Sequence, residues 1–227
     1  MENHMTMNKT KTPFADSDMD STDTQMHKTE ESKIESPSKT EVISSLKNHF
    51  LIAMPSLDDP YFKQSVVYLC EHDEQGAMGF IINYPVKLTV QELLKNAQSI
   101  DHEPNPPITN AVFLGGPLEM DRGFVLHSPV KDNDQSTKLN DQLMMSNSNH
   151  ILSTLGTDQE PDHYMVTLGY ASWDKGQLEE EINLNQWLTI ECETDIIFDI
   201  PIAKRWDTSL QRLGVAPLQL SSDIGHA

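Results

Sequence analysis

The stretch "SVVYLCEHDEQGAMGFIINY", Ser65 to Tyr84, limits this chain more than any other. Two runs rich in β-branched and aromatic residues flank the short turn "DEQG", which is the pattern of a β-hairpin. A chain that commits early to an antiparallel pair must complete a sheet around it. The neighbouring segments supply more strands: "HFLIAMP", ended by Pro55, "AVFL" and "GFVLHS", "HYMVTLGYAS" and "QWLTIECE". Short helices lie between them. "TVQELLKNA" opens with a capping box, Thr89 with Glu92 three residues on, and carries Leu93 and Leu94 on its buried side. "SNHILSTLG" closes at Gly156, and Asp59 before Pro60 marks another helix start. "IPIAKRWDTSLQRLGV" places Ile202, Trp206, Leu210 and Leu213 on one face. The pattern predicts an α+β fold with a strongly bent, largely antiparallel sheet and short helices packed on it.

The first 41 residues are different. They are rich in Ser, Thr, Asp, Glu and Lys and almost free of large apolar side chains, so they are expected to form a disordered N-terminal tail. The folded domain is expected to span 42–215, followed by a C-terminal tail over 216–227. Within the first segment nine acids face five bases, leaving −15 of the net charge of −19 on the rest of the chain. That field repels phosphate backbones and anionic lipid, so nucleic acid and membrane are poor partners on charge alone. The longest clean apolar stretch, Phe50 to Met54, is far short of the roughly 20 residues that span a bilayer. A cytoplasmic protein with two reduced thiols, Cys70 and Cys192, is the expectation.

Three stretches invite a functional reading. In "GYASWDKGQLEEEI" the spacing predicts Asp174 as a helix N-cap, Gln177 completing a variant capping box, and Trp173 stapled onto Leu178. Glu179 to Glu181 then sit near the positive helix end, and Gly176 inside the first turn implies a close approach of another backbone. The alternative is that Trp173 and Gln177 contact a ligand or partner. In "GGPLEMDRG", Gly115 and Gly116 could leave backbone amides free for an anion, with Arg122 as its anchor and Asp121 beside it. The competing reading makes the glycines a corner and Asp121 with Arg122 a partly buried structural pair. In "CEH", Cys70 and His72 alternate onto one strand face, compatible with a thiol and its base or with half a metal site. No C-x-x-C, H-E-x-x-H, phosphate loop or G-x-S-x-G elbow is present, so the chain reads as a non-enzyme needing no cofactor or metal.

"LIAMPSLDDPYFKQSVVYLCEHDEQGAMGFIIN", "GGPLEMDRGFVLHS" and "LGYASWDKGQLEEEINLNQWL" together resemble the AlgH/YqgE-type family of bacterial proteins, from about Leu51 to Val215. The resemblance implies a compact α+β fold whose bent sheet forms a pseudo-barrel and a cytosolic location. It implies no established biochemical activity, only the family's nominal label of transcriptional regulator. The chain departs from the family pattern at Ser172, Asp174 and Lys175, where Gly, Gly and Ala are usual. It departs again at "MSNSN", where a Thr-Thr-Ser run is usual, and in "VKDNDQST", which lacks a Trp. If those small residues line a pocket, this member's pocket is more crowded and more polar. Three function classes follow: a non-enzymatic protein acting through protein or small-molecule contacts, a transcriptional regulator in the family's nominal sense, and a thiol-dependent enzyme or hydrolase built on Cys70. DNA binding needs clustered bases, and the densest cluster outside the tail is Lys204, Arg205 and Arg212.

Overall fold

The computed structural model describes residues 45–97, 104, 106–130, 135–147 and 149–215. The expected tails, and part of the loop between the strand ending at His127 and the next, lie outside them. Ten strands are assigned: β1 (His49–Ala53), β2 (Val66–Asp73), β3 (Gly76–Ile81), β4 (Pro85–Thr89), β5 (Ala111–Leu114), β6 (Leu118–His127), β7 (Thr137–Lys138), β8 (Met144–Ser146), β9 (Tyr164–Asp174) and β10 (Trp187–Glu191). The short helices are α1 (Val90–Asn96), α2 (Asn149–Thr154), α3 (Gln177–Asn183), α4 (Thr194–Phe198) and α5 (Arg205–Arg212). The main path runs β10-β1-β2-β3-β9-β6-β8-β7, with β5 also on β9 and β4 on β5. Only the β5–β9 pair is parallel among the described strands. The sheet curls into a half-barrel carrying the helices.

Both faces of the central strands are covered. Phe50, Tyr68, Phe80 and Phe124 face one core cluster with Ile196 and Ile197 of α4. Leu51, Val67 and Leu69 face a second with Leu178 of α3, and Val112 and Val166 face a third with Leu94 of α1 and Ile151 of α2. This is why "VVYLC" is apolar without alternation. The capping box of α1 forms as expected: the Thr89 hydroxyl accepts from the Glu92 amide, and the Glu92 carboxylate accepts from the Thr89 amide. Asp59 also caps, its carboxylate accepting from the amides of Tyr61 and Phe62. The expected helix there is a single turn, because the chain re-enters the sheet at Val66.

The α3 start corrects the sequence reading. Asp174 is not a cap. It is the last residue of β9, paired with Gly76 of the hairpin, and α3 is entered through Gly176 at φ 77°. Gln177 still reaches back, its side-chain carbonyl accepting from the Asp174 amide at 3.0 Å. Nothing lies within 4 Å of a Cβ placed at Gly176. The glycine is there for its left-handed backbone, not for a close approach.

Candidate functional site

Strand β2 bears a bulge: Leu69 pairs with Gly79 and Glu71 with Met78, so Cys70 is an extra residue. A bulge reverses the side-chain alternation beyond it. Cys70 faces the first core cluster and donates its thiol hydrogen to the Met78 carbonyl at 3.3 Å. His72, opposite Ala77 of the second cluster, emerges on the other face. Its Nδ1 accepts the Leu46 amide at 2.7 Å, which leaves Nε2–H to donate to Glu179 at 3.0 Å. Cys70 and His72 therefore do not share a face, and the thiol-enzyme reading built on them fails. Burial pushes the Cys70 thiol up to about 12, so it is protonated at neutral pH.

The same bulge turns Glu71 and Asp73 toward an open groove of about 330 Å³ across β2, β3 and β9. Met78 and Tyr170 line it with Gln75 and Ser172. Register explains the grouping: Glu71 opposes Met78, and Met78 opposes Ser172. Both ionisable side chains at the rim from the hairpin are carboxylates. Trp173 also lines the groove, but its indole belongs to the second core cluster. There, Trp173 and Trp187 both donate their indole N–H to one carboxylate oxygen of Glu181, at 2.8 Å each, while the Gln177 amide donates to the other at 2.9 Å. Phe62 packs against both indoles, with ring centres 6.0 and 5.5 Å away. Trp173 and Gln177 are thus brought together by Glu181, behind the groove rather than across it.

The "GGPLEMDRG" stretch frames the other end. Gly115 donates its amide to the Leu168 carbonyl at 2.8 Å, so that amide is already engaged. A Cβ at Gly115 would lie 2.2 Å from the Gly169 oxygen, and one at Gly116 2.1 Å from the Tyr170 carbonyl carbon. Both glycines serve the close passage of this corner over β9. Leu118 then pairs with Tyr170 and Gly123 with Leu168, so residues 119–122 arch out opposite Gly169 alone. The arch takes Glu119 to φ 44° and Gly169 to φ 73°. For glycine that backbone is unstrained, whereas at Glu119 it is costly, and such strain often sits at functional surfaces.

Arg122 pairs with Glu119 at 3.0 Å, not with Asp121, and both members are about half exposed, at 49% and 48%. Asp121 is exposed. The partly buried Asp121–Arg122 pair expected from the sequence does not form, because the arch points its side chains outward. The guanidinium stands 5.1 Å over the Phe124 ring. Glu119 also accepts from the Tyr170 hydroxyl at 3.3 Å, and so ties the arch to the groove wall. Burial first, and then the Glu119 charge, raises the Tyr170 pKa, so its hydroxyl remains a donor. An exposed pair of this kind is worth less than about 1 kcal/mol. Arg122→Gln should therefore shift the melting temperature by no more than a few degrees; a larger drop in a thermal melt would mean that the arch is structural.

The basic cluster expected to decide DNA contact is divided by the fold. Arg205 is buried, donating to the Ile82 and Ile200 carbonyls, and burial lowers its pKa to about 10. Arg212 is held by Asp195 and Glu193. Sequence periodicity alone had no means of showing that Arg205 lies on the inner side of α5. Among the described residues no group of three or more His, Cys, Asp or Glu side chains is arranged to hold a metal, and no helix is long and apolar enough to cross a membrane.

Residues 50–218 match the model of a protein family described as AlgH-like. A UPF0301 protein of Vibrio cholerae is 48% identical over 189 residues, covering 81% of this chain and all of the relative. One from Serratia proteamaculans is 49% identical over 186 residues, with the same coverage. Among solved structures, the solution structure of the AlgH protein from Pseudomonas aeruginosa superposes with a TM-score of 0.67 at 40% identity, covering 86% of this chain and all of that one. A crystal structure of a Corynebacterium diphtheriae protein shares the fold, with a TM-score of 0.60 at 20% identity, covering 77% of this chain and 91% of that one.

Proposed function

The chain belongs to the AlgH-like family, and we propose that it works by reversible, non-covalent contact at the groove of β2, β3 and β9, in the cytosol, with a cationic partner. The observation that supports this most is the composition of the groove. It is open, Met78 and Tyr170 line it, and the ionisable hairpin side chains that line it are Glu71 and Asp73. Large side chains beside charged ones are the mixture found at contact surfaces. The carboxylates favour a lysine- or arginine-bearing segment, or a small organic cation, and steer it from a distance through the charge of −19 on the chain. The exposed arch of Glu119 to Arg122 forms the adjoining shoulder.

Affinity capture from cell lysate, with mass spectrometry, tests the reading. The wild-type chain should retain a defined partner at low salt and lose it at high salt. Glu71→Lys with Asp73→Asn should release that partner while melting like wild type, since both side chains are exposed and Asn keeps the oxygen that accepts from the Gln75 amide at 2.7 Å. Unchanged capture by the double variant would refute the assignment of the groove. Capture of DNA in place of protein or small molecule would favour the family's nominal regulatory role.

A further inference from the structure

We propose that Ser136 is an activated nucleophile, tied through Ser146 to the buried imidazole of His127, and that it accepts an acyl group from small esters. His127 ends β6 and is fully buried. Its Nδ1 lies 2.8 Å from the Ser128 carbonyl oxygen. A carbonyl only accepts, so Nδ1 carries the proton and Nε2 keeps its lone pair. Nε2 accepts from the Ser146 hydroxyl at 2.9 Å. With its proton committed there, Ser146 accepts from the Ser136 hydroxyl, which is also 3.4 Å from Nε2. Ser146 is the nearer hydroxyl to Nε2, 2.9 against 3.4 Å, which sets the order Ser136, Ser146, His127 for the proton.

The sheet builds this alignment. Val125 opposes Ser146, so His127, two residues on, shares the Ser146 face. Thr137 opposes Met145, so Ser136 falls beside Ser146 on the neighbouring strand. A buried imidazole needs two partners, and Ser128 and Ser146 already supply them. Ser136 is surplus to that need, and it is the member of the chain that is only half buried. Burial also holds the His127 pKa below its ordinary value, so the ring is neutral and free to take a proton. An orienting acceptor, a base and a hydroxyl in hydrogen-bond series is the logic of nucleophilic catalysis, whatever the fold. No G-x-S-x-G elbow is needed, because His127 comes from β6, Ser146 from β8 and Ser136 from the residue that leads into β7.

In the acylation step the Ser136 Oγ forms a bond to the ester carbonyl carbon. Its proton passes to the Ser146 Oγ as the Ser146 proton moves to His127 Nε2. Collapse of the tetrahedral adduct breaks the bond to the alcohol oxygen, which departs with the proton returned along the same chain. Water then attacks the acyl group, gives its proton to the relay, and releases the carboxylic acid and a reprotonated Ser136.

The test uses the full-length protein with p-nitrophenyl acetate and with a fluorophosphonate probe, followed by intact-mass analysis and peptide mapping. A single adduct on the peptide containing Ser136 is expected, absent in Ser136→Ala at an unchanged melting temperature. Ser146→Ala and His127→Asn should each slow the labelling by about tenfold or more, in line with the contribution of a general base. If His127→Asn fails to fold, Ser146→Ala decides the point alone. The proposal is overturned if the folded wild-type chain forms no adduct, if the adduct persists in Ser136→Ala, or if the relay variants label at the wild-type rate.

Discussion

Gly116→Ala should destabilise the domain by more than about 3 kcal/mol and lower its melting temperature by about 10 °C or more. A Cβ at this position would sit 2.1 Å from the Tyr170 carbonyl carbon, 2.2 Å from its oxygen and 2.3 Å from the Ala171 nitrogen. All three atoms are backbone of β9, which is held on one side by β3 and on the other by β6. No side chain can swing away to make room, so the corner must lift off the sheet and pull the arch and Tyr170 with it. Gly123→Ala is the matched control, because nothing lies within 4 Å of a Cβ there. Denaturant titration of both variants reads the contrast. Equal midpoints would mean that the corner does not pass over β9 as closely as described.

The second large effect is expected at Glu181. Trp173 and Trp187 are 3% and 2% exposed, and both indole N–H groups end on this one carboxylate. Glu181→Ala leaves two buried donors without an acceptor, at about 1–3 kcal/mol each, and frees the Gln177 amide as well. A combined loss of about 2–5 kcal/mol should appear in thermal melts, together with a change in tryptophan fluorescence. Glu181→Gln keeps one acceptor oxygen and should lose less. Melting of the alanine variant within a degree or two of wild type would show that the indoles find other partners.

These two sites mark where the sequence was readable and where it was not. The hairpin, the capping box at Thr89 and Glu92, and the buried face of α5 through Leu210 rest on local signals, namely turn chemistry, cap spacing and helical period. The half-barrel follows from many short strands linked by tight turns. The groove was not legible, because it depends on one extra residue at Cys70. Strict alternation put Cys70 with His72, whereas the bulge leaves Cys70 on its face, moves His72 to the other and sends Glu71 and Asp73 outward.

Asp174 illustrates a different failure. Its spacing to Gln177 suits a cap, but pairing with Gly76 extends β9 through it, and cross-strand partners cannot be inferred from local spacing. Glu181 read as one of three acids near the positive end of a helix; its role needs Trp187, six residues on, to fold back onto Trp173. The glycine itself was the one local signal, and the sequence reading took it for a close contact where the structure uses it for an αL helix entry.

The most direct measurement is amide hydrogen–deuterium exchange of the full chain, with and without the partner recovered from lysate. Binding at the groove should slow exchange in residues 71–78, 119–122 and 170–174 and leave the α5 region unchanged. Protection confined to α5, or to the strands around Ser136, would contradict the assignment of the β2–β3–β9 groove as the contact surface.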